Sequence, residues 1–251
     1  MTKCAIVVPV YNEEAVIVRL LDALSVQTVQ PELIFIVDNA STDTTAEIVR
    51  RYARKHPNMA IQLLYEPQKG TGAACDTGFR EAIRTDYSLI LRTDADSAPE
   101  SDWVESLLDS AEKNPDVQLF AGQILPLHDE WYKFGDRMLL PVGLFIIRSG
   151  LAIRHRDRGY MQMAIGSNLM IRSDAYLAVR GFPRIAIDLA DEDIELTHQI
   201  RQRFGSSAIN SVHDARVAVS MRRPRVQGAW ATLFRHIFAG YRRKQHVHDV
   251  R

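Results

Sequence analysis

Asp94 and Asp96 stand two residues apart in Thr93-Asp94-Ala95-Asp96, directly after a short apolar run, Ser88–Leu91. Carboxylates at i and i+2 at a strand's end can share one hard cation, and magnesium or manganese held that way keeps positions open for phosphate oxygens. The same pair could equally cap a helix or turn the chain. Three other groups have similar two-sided readings. Asp38 ends the run Leu33–Val37, followed by Asn39, Ser41, Thr42 and Asp43. Its carboxylate can accept from a nucleobase or ribose, or the group is a strand-to-helix turn with Ser41 and Thr42 as the cap. Lys69-Gly70-Thr71-Gly72 offers a cation and backbone N–H groups that glycine lets close to phosphate, or it is a plain loop. Asp191-Glu192-Asp193 opens a helical pattern that runs to Phe204. Carboxylates suit the first turn of a helix, but three in a row repel one another, and one held near a reaction centre can serve as a general base.

All four groups follow or open periodic segments. Ala5–Val10, Leu33–Val37, Ile61–Tyr65, Ser88–Leu91 and Val117–Ile124 read as buried strands. Between them Glu13–Gln27, Thr44–Tyr52, Gly72–Arg84 and Glu100–Lys113 carry helical apolar spacing. That alternation predicts an α/β fold with a doubly wound, mostly parallel sheet flanked by helices, which binds ligands beyond the carboxyl ends of its strands. Those ends are Pro9–Glu14, Asp38–Asp43, Glu66–Gly72 and Asp94–Ser97. The second half is less regular. A helix is expected over Asp129–Arg154, a strand over Gln162–Ile171 and a short helix over Ser173–Arg180. A helix over Asp191–Phe204, two short strands within Ser207–Ser220 and a terminal helix over Ala229–Lys244 complete the reading.

Thirty-one basic and 31 acidic residues cancel, so no global field draws the chain to nucleic acid. From Arg216 onward the only acidic residue is Asp249, which makes the C-terminal end basic. Cys4 and Cys75 form no CxxC pair, arguing against a zinc site or a disulfide framework. Lys3 precedes only Cys4–Val10 before Glu13 and Glu14, so no leader is expected. The longest apolar stretch, Met138–Ile147, is too short to span a bilayer and contains Pro141 and Gly143. GxxxxGK[ST] and a GxGxxG after the first strand are both absent, which argues against a Walker-type loop and a dinucleotide fold.

Taken in order, these segments resemble a family 2 glycosyltransferase of the GT-A fold. Val7-Val8-Pro9-Val10-Tyr11-Asn12-Glu13-Glu14 is similar to that family's first-strand signature. Val37-Asp38-Asn39-Ala40-Ser41-Thr42-Asp43 resembles its VDDGSTD segment, with Asn39 and Ala40 replacing Asp and Gly. Lys69-Gly70 with Gly72-Ala73-Ala74 and Thr77-Gly78 resembles the next segment, and Asp94-Ala95-Asp96 its DxD. Gly166-Ser167-Asn168 with Arg172, Gly181 and Phe182 resembles the segment before the catalytic helix. Glu192-Asp193 matches the ED pair, and Ser220-Met221-Arg222-Arg223 resembles an S-x-R-R segment. The likeness covers roughly Ala5 to Arg225. Arg92, beside the DxD, is unusual; it can form an internal ion pair or contact phosphate.

The resemblance implies a GT-A domain over 1–225, with a donor half at 1–124 and an acceptor half at 125–225, and a basic amphipathic helix or tail at 226–251. Pro9, Tyr11, Glu13 and Asp38 would line the nucleotide site, with Lys69 near the donor. Asp94 would face ribose or metal, and Asp96 would be the principal ligand to Mn2+ or Mg2+. Arg222 and Arg223 could hold the departing diphosphate. His213 could complete the metal shell or be a solvated surface residue. Asp193, with Glu192 beside it, would be the base that deprotonates an acceptor hydroxyl for an inverting displacement of a UDP- or GDP-linked sugar. The acceptor is left open between a saccharide and a lipid-linked one. In the C-terminal segment Trp230, Phe234, Ile237, Phe238 and Tyr241 are interleaved with Arg235, Arg242, Arg243 and Lys244. Such a helix can lie on an anionic membrane or pack on its own domain. A cytoplasmic place, with or without contact to the inner membrane face, follows. Two other readings stand: a degenerate nucleotide-sugar-binding scaffold, and a sugar nucleotidyltransferase, whose basic Gly-rich loop after the first strand is missing here.

Overall fold

β1 (Cys4–Val10) has two apolar faces, and each finds its own layer. Ile6, Val8 and Val10 pack into one buried cluster with Leu20, Leu21, Val49, Trp103 and Leu107. Ala5 and Val7 pack into a second, with Phe35, Val37, Phe79, Leu169 and Leu196. A strand buried on both faces is what a sheet covered by helices on both sides requires. The computed structural model describes residues 3–127, 166–184 and 192–220. The chain forms two compact units, Met1–Leu125 with Gln162–Val219, and Pro126–Met161 with Ser220–Arg251. The elements below build the first.

β2 (Leu33–Asp38), β3 (Ile61–Tyr65) and β4 (Leu89–Arg92) join β1 in parallel, in the order β3-β2-β1-β4. The strand order reverses beside β1, between β2 and β4, and in such sheets ligands bind at that point beyond the carboxyl ends of the strands. The connecting helices are α1 (Ile17–Ser25), α2 (Thr45–Lys55) and α3 (Thr71–Arg84). α3 approaches the sheet closely at Gly78, where a Cβ would stand 2.5 Å from a Val7 methyl and 2.9 Å from a Val37 methyl.

Beyond β4 the pairing turns antiparallel. β5 (Ser97–Pro99) leads to α4 (Trp103–Lys113), then β6 (Leu119–Pro126). β7 (Leu169–Arg172) runs into α5 (Ser173–Leu177); α6 (Glu192–Phe204) and a 3-10 turn, Ser206–Ala208, precede β8 (Ile209–Val219). β7 pairs antiparallel with β4 and β6, and β5 with β8, giving an eight-stranded sheet in the order β3-β2-β1-β4-β7-β6-β8-β5. Because Leu169 pairs with Arg92, Gly166–Asn168 arrive at the edge where β4 ends.

Asn168 joins this half together. It is wholly buried, accepts from Trp103 Nε1 at 2.8 Å, and donates to the Gln123 and Ala215 carbonyls at 2.9 Å each. Arg172 closes the far end of α4 through the Ala111 and Val117 carbonyls.

Several expectations need correction. Ser207–Ser220 holds a 3-10 turn and one strand rather than two strands. The strand expected from Gln162 is described only over Leu169–Arg172, and β5 had no counterpart in the apolar pattern. Ser41 and Thr42 do not cap α2. That helix begins after Thr44, and Asp43 Oδ1 accepts from the Thr45 N–H at 3.0 Å. The expected helices over Asp129–Arg154 and Ala229–Lys244 lie outside the described residues. Among the described residues, no helix is long and apolar enough to cross a membrane.

Candidate active site

Parallel pairing sets Asp38 level with Val10 and Tyr65, so the loops after β1, β2 and β3 leave one edge together. Short polar side chains lace these loops. Asn12, in the left-handed region at φ 54°, accepts from the Thr42 N–H at 2.8 Å, and its own N–H donates to Ser41 Oγ at 3.1 Å. Glu14 accepts from the Thr44 N–H at 3.0 Å, and Asp43 from the Glu14 N–H at 3.2 Å. The Glu13 N–H donates to Thr45 Oγ1 at 2.8 Å, and the residue is buried. Asp38 is buried, with one oxygen accepting from the Ser41 N–H at 3.2 Å. Pro9 lies within β1. Tyr11 is exposed, and Lys69 covers it, its Nζ 3.0 Å from the phenol oxygen and 4.6 Å from the ring centre.

Two departures from the family pattern have visible consequences. Ala40 takes φ 58°, a conformation glycine adopts at less cost. Asn39 is buried and bonds with both ends of its amide. It donates to the Glu66 and Gln68 carbonyls at 3.0 and 2.7 Å and accepts from the Gly70 N–H at 2.8 Å. A carboxylate there could make only the third bond. The Gly70 N–H is thus engaged by Asn39, and Lys69 is the cation the loop presents.

Glu66 and Arg184 form a fastening that sequence reasoning missed. Arg184 donates to Glu66 Oε2 at 2.7 Å, Thr77 Oγ1 at 3.1 Å and Asp76 Oδ2 at 3.3 Å. Burial works against the Glu66 charge, yet hydrogen bonds from Thr77, Arg184 and the Gln68 N–H hold its carboxyl below the ordinary range. Tyr176 donates to Asp76 at 2.9 Å and accepts from the Phe182 N–H at 3.0 Å. No spacing announces an arginine in an irregular segment as the partner of residues about a hundred positions earlier.

At the end of β4, Asp96 is buried and Asp94 partly exposed. Arg92 is buried, its Nη2 3.3 Å from Asp94 Oδ1 and 2.9 Å from Glu192 Oε1, so the internal ion pair is the alternative the structure adopts. Asp193 opens α6 with each oxygen held by a backbone donor at 2.8 Å, Oδ2 by the Gly166 N–H and Oδ1 by the Ile194 N–H. Burial and the neighbouring Glu192 charge push its pKa up to about 6, against the pull of Arg92 and those two N–H groups. A carboxylate with that pKa is mostly ionised at neutral pH and still a useful proton acceptor. Asp38, Asp94, Asp96, Glu192 and Asp193 are thus gathered at one sheet edge.

A divalent cation suits the oxygen-only donor set of Asp94 and Asp96. Among the described residues no three His, Cys, Asp or Glu side chains group to hold a metal, and His213 stands exposed in β8. Asp191, Arg222 and Arg223 lie outside the described residues.

Residues 5–179 match the family model for glycosyl transferase family 2. The chain is 40% identical over 110 residues to a dolichyl-phosphate beta-glucosyltransferase of Trichomonas vaginalis, covering 40% of this chain and 31% of that protein. It is 31% identical over 118 residues to an undecaprenyl-phosphate 4-deoxy-4-formamido-L-arabinose transferase of Photorhabdus laumondii, covering 46% and 35%. The matched segments span about a third of either relative. Glucosyl-3-phosphoglycerate synthase of Mycobacterium tuberculosis, solved with Mn2+, UDP and glucosyl-3-phosphoglycerate, superposes with a TM-score of 0.65 at 19% identity, over 95% of this chain and 79% of that one. That likeness establishes the GT-A fold, and with the family match over most of its length this chain belongs to glycosyl transferase family 2.

Proposed function

We propose that the chain transfers a sugar from a UDP- or GDP-linked donor to an acceptor hydroxyl with inversion at the anomeric carbon. The observation that carries this is Asp193, a carboxylate fixed by two backbone donors, with its pKa raised to about 6, at the edge that also bears Asp38, Asp94 and Asp96. Asp38, Tyr11 and Lys69, with Pro9 and Glu13, bind and orient the nucleotide. Asp193 takes the acceptor proton as the hydroxyl attacks the face of the sugar opposite the leaving diphosphate. Asp96, with Asp94, would hold Mn2+ or Mg2+, which when bound supplies positive charge against the diphosphate. A neighbour solved with Mn2+ and UDP supports both ligands. Arg222 and Arg223 are assigned to the departing diphosphate on the family pattern alone.

The test is the configuration of the product by NMR, together with turnover of Asp193→Asn. Inversion and a crippled variant support the reading; a product with the donor's own configuration sinks it.

A second reading concerns the acceptor. Relatives named for dolichyl-phosphate and undecaprenyl-phosphate favour a polyprenyl phosphate and a role in lipid-linked glycan synthesis. A phosphate oxygen is already anionic and needs no base. Under this reading Asp193→Asn keeps turnover with a polyprenyl phosphate. Such an enzyme would work in the cytoplasm at the inner membrane face, which flotation of the chain with anionic vesicles would test.

A further inference from the structure

We propose that Arg92 is a positioning residue that locks the aspartate arm after β4 to the first turn of α6, and so fixes the orientation of Asp193. The inference rests on the reading of Asp193 as the base. Arg92 is the last residue of the otherwise apolar strand Leu89–Arg92, and its side chain is buried. Its Nη2 alone makes both ion pairs, with Asp94 on one side and Glu192 on the other, joining residues 100 positions apart. The guanidinium also lies against Gly166, where a Cβ would stand 2.6 Å from its central carbon, so only glycine admits it. Phe182 closes another side, its ring centre 5.2 Å away.

The cation thus supports the surroundings of Asp193 from two sides. Gly166, whose N–H holds Oδ2, packs on the guanidinium, and Glu192, the residue before Asp193, is bound to it. Without Arg92, Asp94 and Glu192 would lose the buried cation they share beside Asp193, and like charges so placed repel. Methionine preserves bulk and removes the charge, whereas lysine keeps the charge on a side chain one atom shorter than arginine.

The experiment compares wild type, Arg92→Met and Arg92→Lys. It reads hydrogen exchange over the segments containing Gly166 and Ile194, UDP and GDP binding with Mn2+, and turnover of the donor that wild type accepts. Exchange reports how firmly the two amides are held. In Arg92→Met both segments should exchange at least about tenfold faster. Turnover should fall about 100-fold while nucleotide affinity stays within about threefold, because misplacing a reacting group by an ångström costs that much in rate. Arg92→Lys, which keeps the charge, should retain more protection and turnover than Arg92→Met. Wild-type protection and turnover in a folded Arg92→Met protein would overturn the proposal.

Should Arg92→Met not fold, Arg92→Met/Glu192→Gln removes the cation with one of its carboxylates and is compared with Glu192→Gln alone. Further loss of protection in the double variant supports the lock, and equal protection overturns it. Exchange reads the lock even if wild type binds no nucleotide, and that result would count against the enzymatic reading alone.

Discussion

In the proposed reaction Asp193 is the base, and its environment makes two opposed pH predictions. A base in that role works ionised, so turnover should rise with pH through about 6 and level off above it, as a pH–rate profile would show. Stability should move the other way. The folded state holds the Asp193 proton more tightly than the unfolded chain, so this residue's contribution falls as pH climbs from the ordinary carboxylate range to about 6. Asp193→Asn should reduce turnover with a hydroxyl acceptor by about 10²–10⁴-fold and remove the acid limb, while donor binding by calorimetry is retained. Asn39 gives a separate residue-level test. Asn39→Asp places a carboxylate against two carbonyl oxygens, so the Lys69 loop should loosen and donor KM rise about tenfold with kcat little changed, since two hydrogen bonds are lost.

Elements deliver these residues, and the packing that holds the elements is open to stability measurements. Gly78→Ala forces a methyl into Val7 and Val37, so α3 must shift from the sheet, costing about 1–3 kcal/mol in denaturant unfolding. The loops after β1 and β2 follow from sequence more directly than the crossings between them. An apolar strand ending in Asp38, followed by Asn, Ser, Thr and Asp, announces a polar turn. It does not disclose that Ser41 and Thr42 bond back to Asn12 instead of capping α2. Likewise Asp76 reads from sequence as one polar residue in a helix, whereas in the fold it receives Arg80, Tyr176 and Arg184. Partners far apart along the chain leave no periodicity, and Asn168, which ties α4, β6 and β8 together, is another such case. β5 escaped because three residues ending in proline carry no alternation that marks a strand. Arg92 stood out as a lone cation at the end of an apolar run, and the rest of its ion pair required α6 to be in place.

At the scale of the molecule, order along the chain was the strongest signal. Each motif alone has an ordinary structural use, but polar segments at four strand ends, Pro9–Glu14, Asp38–Asp43, Glu66–Gly72 and Asp94–Ser97, imply a single ligand-binding edge, and parallel pairing of β1 to β4 brings those ends together. Neither the donor base nor the acceptor was legible, because those depend on shapes beyond the strand ends and not on the spacing that builds the sheet. This edge is proposed to bind a nucleotide-diphosphate sugar. The most direct test is thermal unfolding against UDP, GDP and their sugar conjugates, each with and without Mn2+. A ligand that binds only the folded state raises its melting temperature by mass action. A rise is expected with one nucleotide family, requiring the metal and lost in Asp96→Ala. Folded protein whose melting temperature is unmoved by every member of the panel would contradict it.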